Sequence, residues 1–279
     1  MEKLQRNERI AALTQILSNH PNKLFTFNYF VDIFGCAKST LSEDVELLRG
    51  IAEKLQLGEI ETISGAAGGV KYIPMLGKHK IEMILDELCK SLSDPNRILS
   101  GGFIYMTDII YNPAYVDNIG KIFAGEFINK GIDYVVTVET KGIPIAMMTA
   151  RAMNVPLIIV RRDSKVTEGS SVNINYVSAS SRRIQTMSLS RRALKKNSKV
   201  LFVDDFMKGG GTAKGIIELM KEFESEVAGI AVLISTKEPS DKFVRDYFSL
   251  LILNNVDEQN SIIDLMPGIK INKTANDKI

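Results

Sequence analysis

The stretch KVLFVDDFMKGGGTAKG, residues 199–215, constrains this chain more than any other part of it. Val200 to Val203 form an apolar run of strand length, which predicts a strand buried on both faces. Asp204 and Asp205 follow at its C-terminal end. Lys208, Gly209, Gly210 and Gly211 then make a loop that passes through Thr212 into a helix expected from Ala213. Ligands of open α/β sheets bind at the carboxyl ends of strands. Consecutive glycines let backbone N–H groups turn towards an anion, and a helix N-terminus adds its positive dipole. Thr212 can add a hydroxyl donor. The loop therefore reads as a phosphate cradle. Two carboxylates directly before it would repel the phosphate, but they suit the two hydroxyls of a ribose. Acids plus cradle imply a ribose 5-phosphate. The segment is not a Walker loop, because Lys214 follows Ala213 and no Gly-Lys-Ser/Thr occurs. A tight strand-to-helix turn with no ligand is the plain alternative.

A companion loop follows YVVTV (134–138): Glu139, Thr140, Lys141 and Gly142, with Ile143-Pro144 opening a helix. Lysine and glycine at a strand's carboxyl end again suit an anion. In a parallel sheet this loop would lie beside the first. A pyrophosphate bridging them would complete phosphoribosyl pyrophosphate (PRPP). An ordinary strand-helix turn is the alternative here too. PLIIV (156–160) and VAGIAVLI (227–234) are further apolar strands between amphipathic segments. Such alternation predicts an α/β domain with a parallel sheet covered on both faces. The tail after Pro267 is polar and is expected to fray.

Residues 1–74 read differently. Arg6–Ser18 and Phe27–Ile33 are short helices, broken after the second by Gly35. A third helix is expected near Ser39, with Thr40 and Glu43 at capping-box spacing and Leu41, Val45 and Leu48 as its buried stripe. Lys38, Ser39, Thr40 and Ser42 would be exposed at its N-terminus, where recognition helices meet bases and phosphates. EIETIS (59–64), GAAGG (65–69) and VKYIP (70–74) make a hairpin wing carrying Lys71, which would add nonspecific attraction for DNA. The pattern is a winged helix-turn-helix. A small helical dimerisation domain is the alternative, and Glu43, Asp44 and Glu46 favour it because they repel DNA. An amphipathic helix over 77–93 connects the two parts, with Ile81, Ile84, Leu85, Leu88 and Leu92 on one face. The domains are therefore placed at 1–74 and 75–279.

A net charge of +2 argues at first against a nucleic-acid partner. The charge is segregated, however. Residues 141–215 carry 14 basic groups against 4 acidic ones, while 81–140 and 216–279 are acidic. Arg161, Arg162, Lys165, Arg182, Arg183, Arg191 and Arg192 lie in that basic block, whose field attracts polyanions. Two histidines, His20 and His79, leave no histidine base for the C-terminal two-thirds. Cys36 and Cys89 are far apart, which suits a reducing compartment and no zinc site. No apolar run reaches the ~18–20 residues of a membrane span. A cytoplasmic protein with no membrane contact is expected.

VLFVDDFMKGGGT resembles the PRPP signature of type I phosphoribosyltransferases. With the winged helix, the connecting helix, ETKGIP and RRDSKVTEGSSVNINYVS, the whole chain is similar to the purine operon repressors of Gram-positive bacteria. The resemblance implies a homodimer that represses purine genes by binding duplex operator DNA and is relieved by PRPP. It assigns the ribose hydroxyls to Asp204 and Asp205 and the 5-phosphate to Lys208 to Thr212, with Phe206 and Met207 as further effector-binding residues. Thr140, Lys141 and Gly142 take the pyrophosphate. Tyr105 becomes an aromatic cover, and Lys165–Asn173 a flexible loop. Lys208 and Gly209 stand where catalytic members have a small residue and threonine. This implies a sensor with no catalytic residue, since ground-state binding alone does not accelerate a reaction. No cofactor is required: PRPP, with or without Mg2+, is the effector, and guanosine tetraphosphate (ppGpp) is a competitor whose guanine could stack on Tyr105 or Phe206. An active purine phosphoribosyltransferase and an RNA-binding attenuator are the rival readings.

Overall fold

A computed structural model describes residues 4–65, 68–163, 169–177 and 184–269. Lys165, Arg182, Arg183, the first part of the expected flexible loop and the tail from 270 lie outside the described residues. The chain divides into two compact units. The first comprises the chain to Gly77 together with Arg151–Asn154, and the second comprises Lys78–Ala150 and Val155 onward.

The first unit carries α1 (Arg6–Asn19), β1 (Phe25–Thr26), α2 (Phe27–Phe34), α3 (Lys38–Lys54), β2 (Glu59–Ile63) and β3 (Gly69–Ile73). Leu13, Leu17, Phe30, Phe34, Leu41, Val45 and Leu48 make one apolar core. Phe30 and Phe34 stack with ring centroids 5.5 Å apart. Thr26 caps α2 by accepting from the Tyr29 amide, and Gly35 ends it in the left-handed region. β2 and β3 pair antiparallel as the expected wing, and β1 adds a third strand that the sequence pattern did not reveal.

The capping expectation for α3 is overturned. The helix starts at Lys38 with Ala37 as N-cap and no side-chain cap, so Thr40 is already inside it. The capping box belongs instead to α1, between Gln5 and Glu8. Asp44, read as a DNA-repelling charge, is buried. It accepts from Arg9 Nε at 2.7 Å and meets Arg6 at 3.3 Å, tying α3 to α1.

The second unit begins with α4 (Lys78–Leu92), the expected amphipathic helix, which buries Ile84, Leu85, Leu88 and Leu92. A short hairpin of β4 (Ile98–Leu99) and β5 (Phe103–Ile104) leads to α5 (Thr107–Ile110) and α6 (Pro113–Phe127). Then follow β6 (Tyr134–Val138), α7 (Ile143–Met153), β7 (Leu157–Val160), the hairpin of β8 (Ser171–Val177) and β9 (Ile184–Ser190), and β10 (Lys199–Met207). The unit closes with α8 (Gly211–Glu222), β11 (Glu226–Thr236), β12 (Phe248–Asp257) and β13 (Ile262–Pro267).

Six strands form one sheet in the order β13-β12-β11-β10-β6-β7, parallel throughout except for the antiparallel edge strand β13. Both faces are covered, which is why the strands read as apolar runs. Val200, Phe202 and Val232 pack in one cluster with Ile216, Leu219 and Met220 of α8. On the other face, Phe123 and Phe127 of α6 meet Phe248 edge-on. From β6 the chain winds outward to β7, and from β10 it winds the opposite way to β11. The order therefore reverses between β6 and β10, and a crevice at their carboxyl ends is the expected ligand site.

Two boundaries differ from expectation. Pairing of β10 with β6 stops at Phe202, but its pairing with β11 continues to Met207. Asp204 and Asp205 thus lie within the strand, on the part that has outrun one neighbour. α8 starts at Gly211, two residues before Ala213, because Gly210 takes φ +76° as its N-cap.

Candidate functional site

The two sequence-predicted loops meet at the β6/β10 crevice. A Cβ placed on Gly142 would stand 2.9 Å from Asp204 Oδ1 and 2.5 Å from Thr137 Oγ1. The backbone of the 139–142 loop therefore passes directly over the first carboxylate, and residue 142 has no room for a side chain. Gly142 itself is buried, whereas Thr140 and Lys141 are exposed. The Glu139–Thr140 peptide is cis.

Asp204 and Asp205 are half-buried, and the Asp205 amide donates to Asp204 Oδ1 at 2.9 Å. Burial, then the charge of Asp205, pushes the Asp204 carboxyl well above the usual carboxylate range. The Arg162 guanidinium opposes that rise. The Arg162 amide donates to Glu139 Oε1 at 2.8 Å, and Glu139 Oε2 lies 3.7 Å from Arg161. Glu139 thus joins the companion loop to the end of β7. The sequence pattern counted Arg162 as one of many basic residues and gave no sign of this pairing.

A small cavity of about 80 Å3 is lined by Asp204, Phe206, Met207, Lys208, the three glycines, Thr212 and Ala213. The first amides of α8 have no partner within the helix and are available to an anion. Beneath the loop, the Phe243 amide donates to Gly209 O at 2.9 Å, and Val244 Cγ2 would stand 3.0 Å from a Cβ on Gly210. Thr236 Oγ1, which donates to Glu238 O at 2.6 Å, lies 3.2 Å from Lys208 O. The segment after β11 therefore braces the glycine loop from one side. Lys208 is exposed, and the Met207 side chain belongs to the core.

The β8–β9 hairpin reaches the same place. Tyr176 hydrogen-bonds with Thr212, which works against the upward shift that burial gives its phenol. Its hydroxyl donates to Gln185 Oε1 at 2.6 Å. The alternation in SVNINYV and IQTMSLS is the signal that could have found these strands.

Tyr105 follows β5, is 45% exposed, and its amide donates to Arg97 O at 2.8 Å. Like Asp205 and Thr140 to Gly142, it does not line the small cavity at the glycine loop.

In the first unit, Lys38, Ser39 and Ser42 are exposed at the start of α3, and Thr40 is half-buried. Ser42 Oγ donates to Lys38 O at 3.0 Å. Lys71 is bound to Glu61 across the wing at 2.8 Å, so its charge is partly neutralised. Among the described residues no helix is long and apolar enough to cross a membrane.

Residues 5–74 match the family model for the bacterial purine repressor N-terminal domain, and residues 106–265 match the phosphoribosyl transferase domain. The chain is 46% identical over 266 residues to the purine biosynthesis transcriptional repressor of Bacillus subtilis, covering 95% of this chain and 93% of that one. It is 41% identical over 265 residues to the purine biosynthesis transcriptional activator of Lactococcus lactis, covering 95% and 98%. The adenine phosphoribosyltransferase structure from Rhodothermus marinus aligns at a TM-score of 0.52 and 22% identity. It covers 62% of this chain and 99% of that one, and shows the shared fold of the second unit.

Proposed function

Because the chain belongs to the bacterial purine-repressor family and is a transcriptional regulator of purine biosynthesis, we propose that it represses purine genes from an operator and is released by PRPP. The observation that carries the effector is the contact of Gly142 with Asp204, which joins the pyrophosphate-type loop to the acid-and-glycine loop at the sheet's switch point. Asp204 and Asp205 accept hydrogen bonds from the ribose hydroxyls. The free amides at the start of α8, with Thr212, bind the 5-phosphate. Thr140, Lys141 and the Gly142 backbone bind the pyrophosphate, and Arg162 adds positive charge beside the pair of acids.

Mg2+ takes one or two carboxylates plus substrate phosphates in such sites. Asp204 and Asp205 fit an ion that arrives with the pyrophosphate. Among the described residues no group of three acids, histidines or cysteines could hold a resident one. Lys208 and Gly209 replace the small-Thr pair of catalytic members, which supports binding without transfer. ppGpp presents the same pyrophosphate chemistry and competes for the site. Its guanine would stack on Tyr105 or Phe206; Phe206 lines the small cavity at the glycine loop.

Operator contacts fall on Lys38, Ser39, Thr40 and Ser42. The basic block supplies nonspecific attraction. The test is a gel shift with purine-gene promoter DNA and increasing PRPP. Release by PRPP, with no pyrophosphate formed from PRPP and any purine base or xanthine, supports the reading. Base-dependent pyrophosphate release would establish an enzyme instead. Transcription that falls on deletion of the gene would assign the role of the Lactococcus relative, an activator.

A further inference from the structure

One position near the end of β6 is shaped for valine and filled by threonine. Thr137 has no exposed surface, and neither have Val135 and Val136 before it. On its β10 side it is the first residue of β6 beyond the ladder, whose last pair is Val136 with Phe202. Its hydroxyl has no hydrogen-bond partner among the described residues. Thr149 makes the contrast: it too has no exposed surface, but its Oγ1 donates to Ile145 O at 2.9 Å within α7. A buried hydroxyl without a partner is destabilising where valine would pack in the same space. Such a group calls for a role outside the stability of the free protein.

The surroundings of the hydroxyl supply that role. Thr137 Oγ1 and Asp204 Oδ1 flank the point that a side chain on Gly142 would occupy, at 2.5 and 2.9 Å from it. Glycine at 142 keeps the space between the two oxygens clear of a side chain. Asp204 Oδ1 already accepts from the Asp205 amide at 2.9 Å. Each carboxylate oxygen has two lone pairs, so Oδ1 can take a second donor.

We propose that Thr137 is a positioning residue for the effector: its hydroxyl donates to Asp204 Oδ1 in the liganded protein and so turns Oδ2 towards the ribose hydroxyls. This rests on the reading of Asp204 as the acceptor of those hydroxyls. Two donors on Oδ1 fix the plane of the carboxyl group and leave Oδ2 to the ligand. Thr137 itself touches no part of PRPP and acts through Asp204. In the free protein the hydroxyl is unpaired; on binding, the 139–142 loop and the acid settle around ribose and pyrophosphate and the bond is completed. A contact made in one state only is what lets a ligand favour that state. The bond is to a charged acceptor in a site of low dielectric, where it is stronger than a neutral one.

Thr137→Val and Thr137→Ser in the full-length protein test this, with calorimetric titration of PRPP and, separately, of inorganic pyrophosphate. T137V should melt at the wild-type temperature or above it, because it removes an unpaired buried hydroxyl. It should bind PRPP about tenfold more weakly, as expected for one hydrogen bond to a charged group. Its affinity for inorganic pyrophosphate should match wild type, since that ligand offers Asp204 no hydroxyl. T137S should recover most of the PRPP affinity. A residue that only shaped the ground beneath Gly142 would give the reverse order, with valine tolerated and the smaller serine worse, and would move both ligands together. The role is overturned by a T137V protein with wild-type PRPP affinity, by a parallel loss for pyrophosphate, by a T137S protein no better than T137V, or by a T137V protein that melts lower than wild type. Wild-type protein that binds no PRPP at all would remove the effector reading itself, and this role with it.

Discussion

At Asp204 a carboxylate is held where burial and a neighbouring acid both disfavour its charge. Its pKa stands above that of the unfolded chain, so the folded protein binds more protons between the two values. Stability then falls as pH rises through that window, and above the raised value the penalty is complete. Asp204→Asn should therefore raise the melting temperature at pH 7.5 and change it less at pH 4, where the wild-type carboxyl is closer to protonated in both states. Thermal melts at the two pH values check this. The same substitution should leave operator binding intact and abolish release by PRPP, because the amide cannot accept from the ribose hydroxyls as a carboxylate does. An Asp204 variant still released by PRPP would remove the ribose assignment. Gly142→Ala has a different cause. Its methyl would stand 2.5 Å from the Thr137 hydroxyl and 2.9 Å from Asp204 Oδ1, so the 139–142 loop must move. PRPP affinity measured by calorimetry should fall at least about tenfold, a cost of roughly 1.4 kcal/mol that even a modest displacement would exceed.

At the scale of elements, the winged unit depends on a buried ion pair between helices. Asp44 is 1% exposed and its partner Arg9 is 7% exposed. Removing one member of such a pair leaves an uncompensated buried charge and typically costs about 3–5 kcal/mol. Asp44→Ala should lower the urea midpoint of the first unit and weaken operator binding, while PRPP titrates the protein with unchanged affinity. A parallel loss of PRPP affinity would show that the substitution damages more than α1 and α3. The same residue marks what the sequence pattern could and could not reveal. Apolar spacing, which is local information, located α1 to α4 and the strands β6, β7, β10 and β11, but α6 and the inner strand β12 were not located. Asp44 was misread because its partner, Arg9, is 35 positions away, and no local pattern reports such a pairing. The PRPP-type loop was legible for the opposite reason, since acids, glycines and threonine are contiguous. Arg162, Tyr176 and the brace from Phe243 and Val244 come to the site through the fold alone. The role of Tyr105 as a cover rests on the resemblance alone: it follows the β4–β5 hairpin and is 45% exposed.

For the whole molecule, the proposed release of operator by PRPP would set one polyanion against another. The average charge of +2 hides the arrangement, because the basic block from 141 to 215 contains both ligand loops and most of the excess positive charge. Two mechanisms of opposition make different demands on salt. If PRPP acts by neutralising a field that also attracts DNA, added salt should weaken operator binding and shrink the effector's influence together. Each phosphate contact gives a slope of about −0.9 in log affinity against log salt. If PRPP instead biases two conformations, the slope should be similar with and without it, and the coupling should survive at high salt. Reciprocity holds in either case: the factor by which PRPP weakens the operator equals the factor by which operator weakens PRPP. Calorimetric titration of PRPP into free protein and into the operator complex, at 50 mM and 200 mM salt, yields that factor twice. A coupling that collapses at the higher salt assigns the switch to shared electrostatics. A constant coupling requires a structural change that Asp204 and the glycine loop initiate. A PRPP affinity indifferent to operator at both salts would break the link between the two units as a regulatory device.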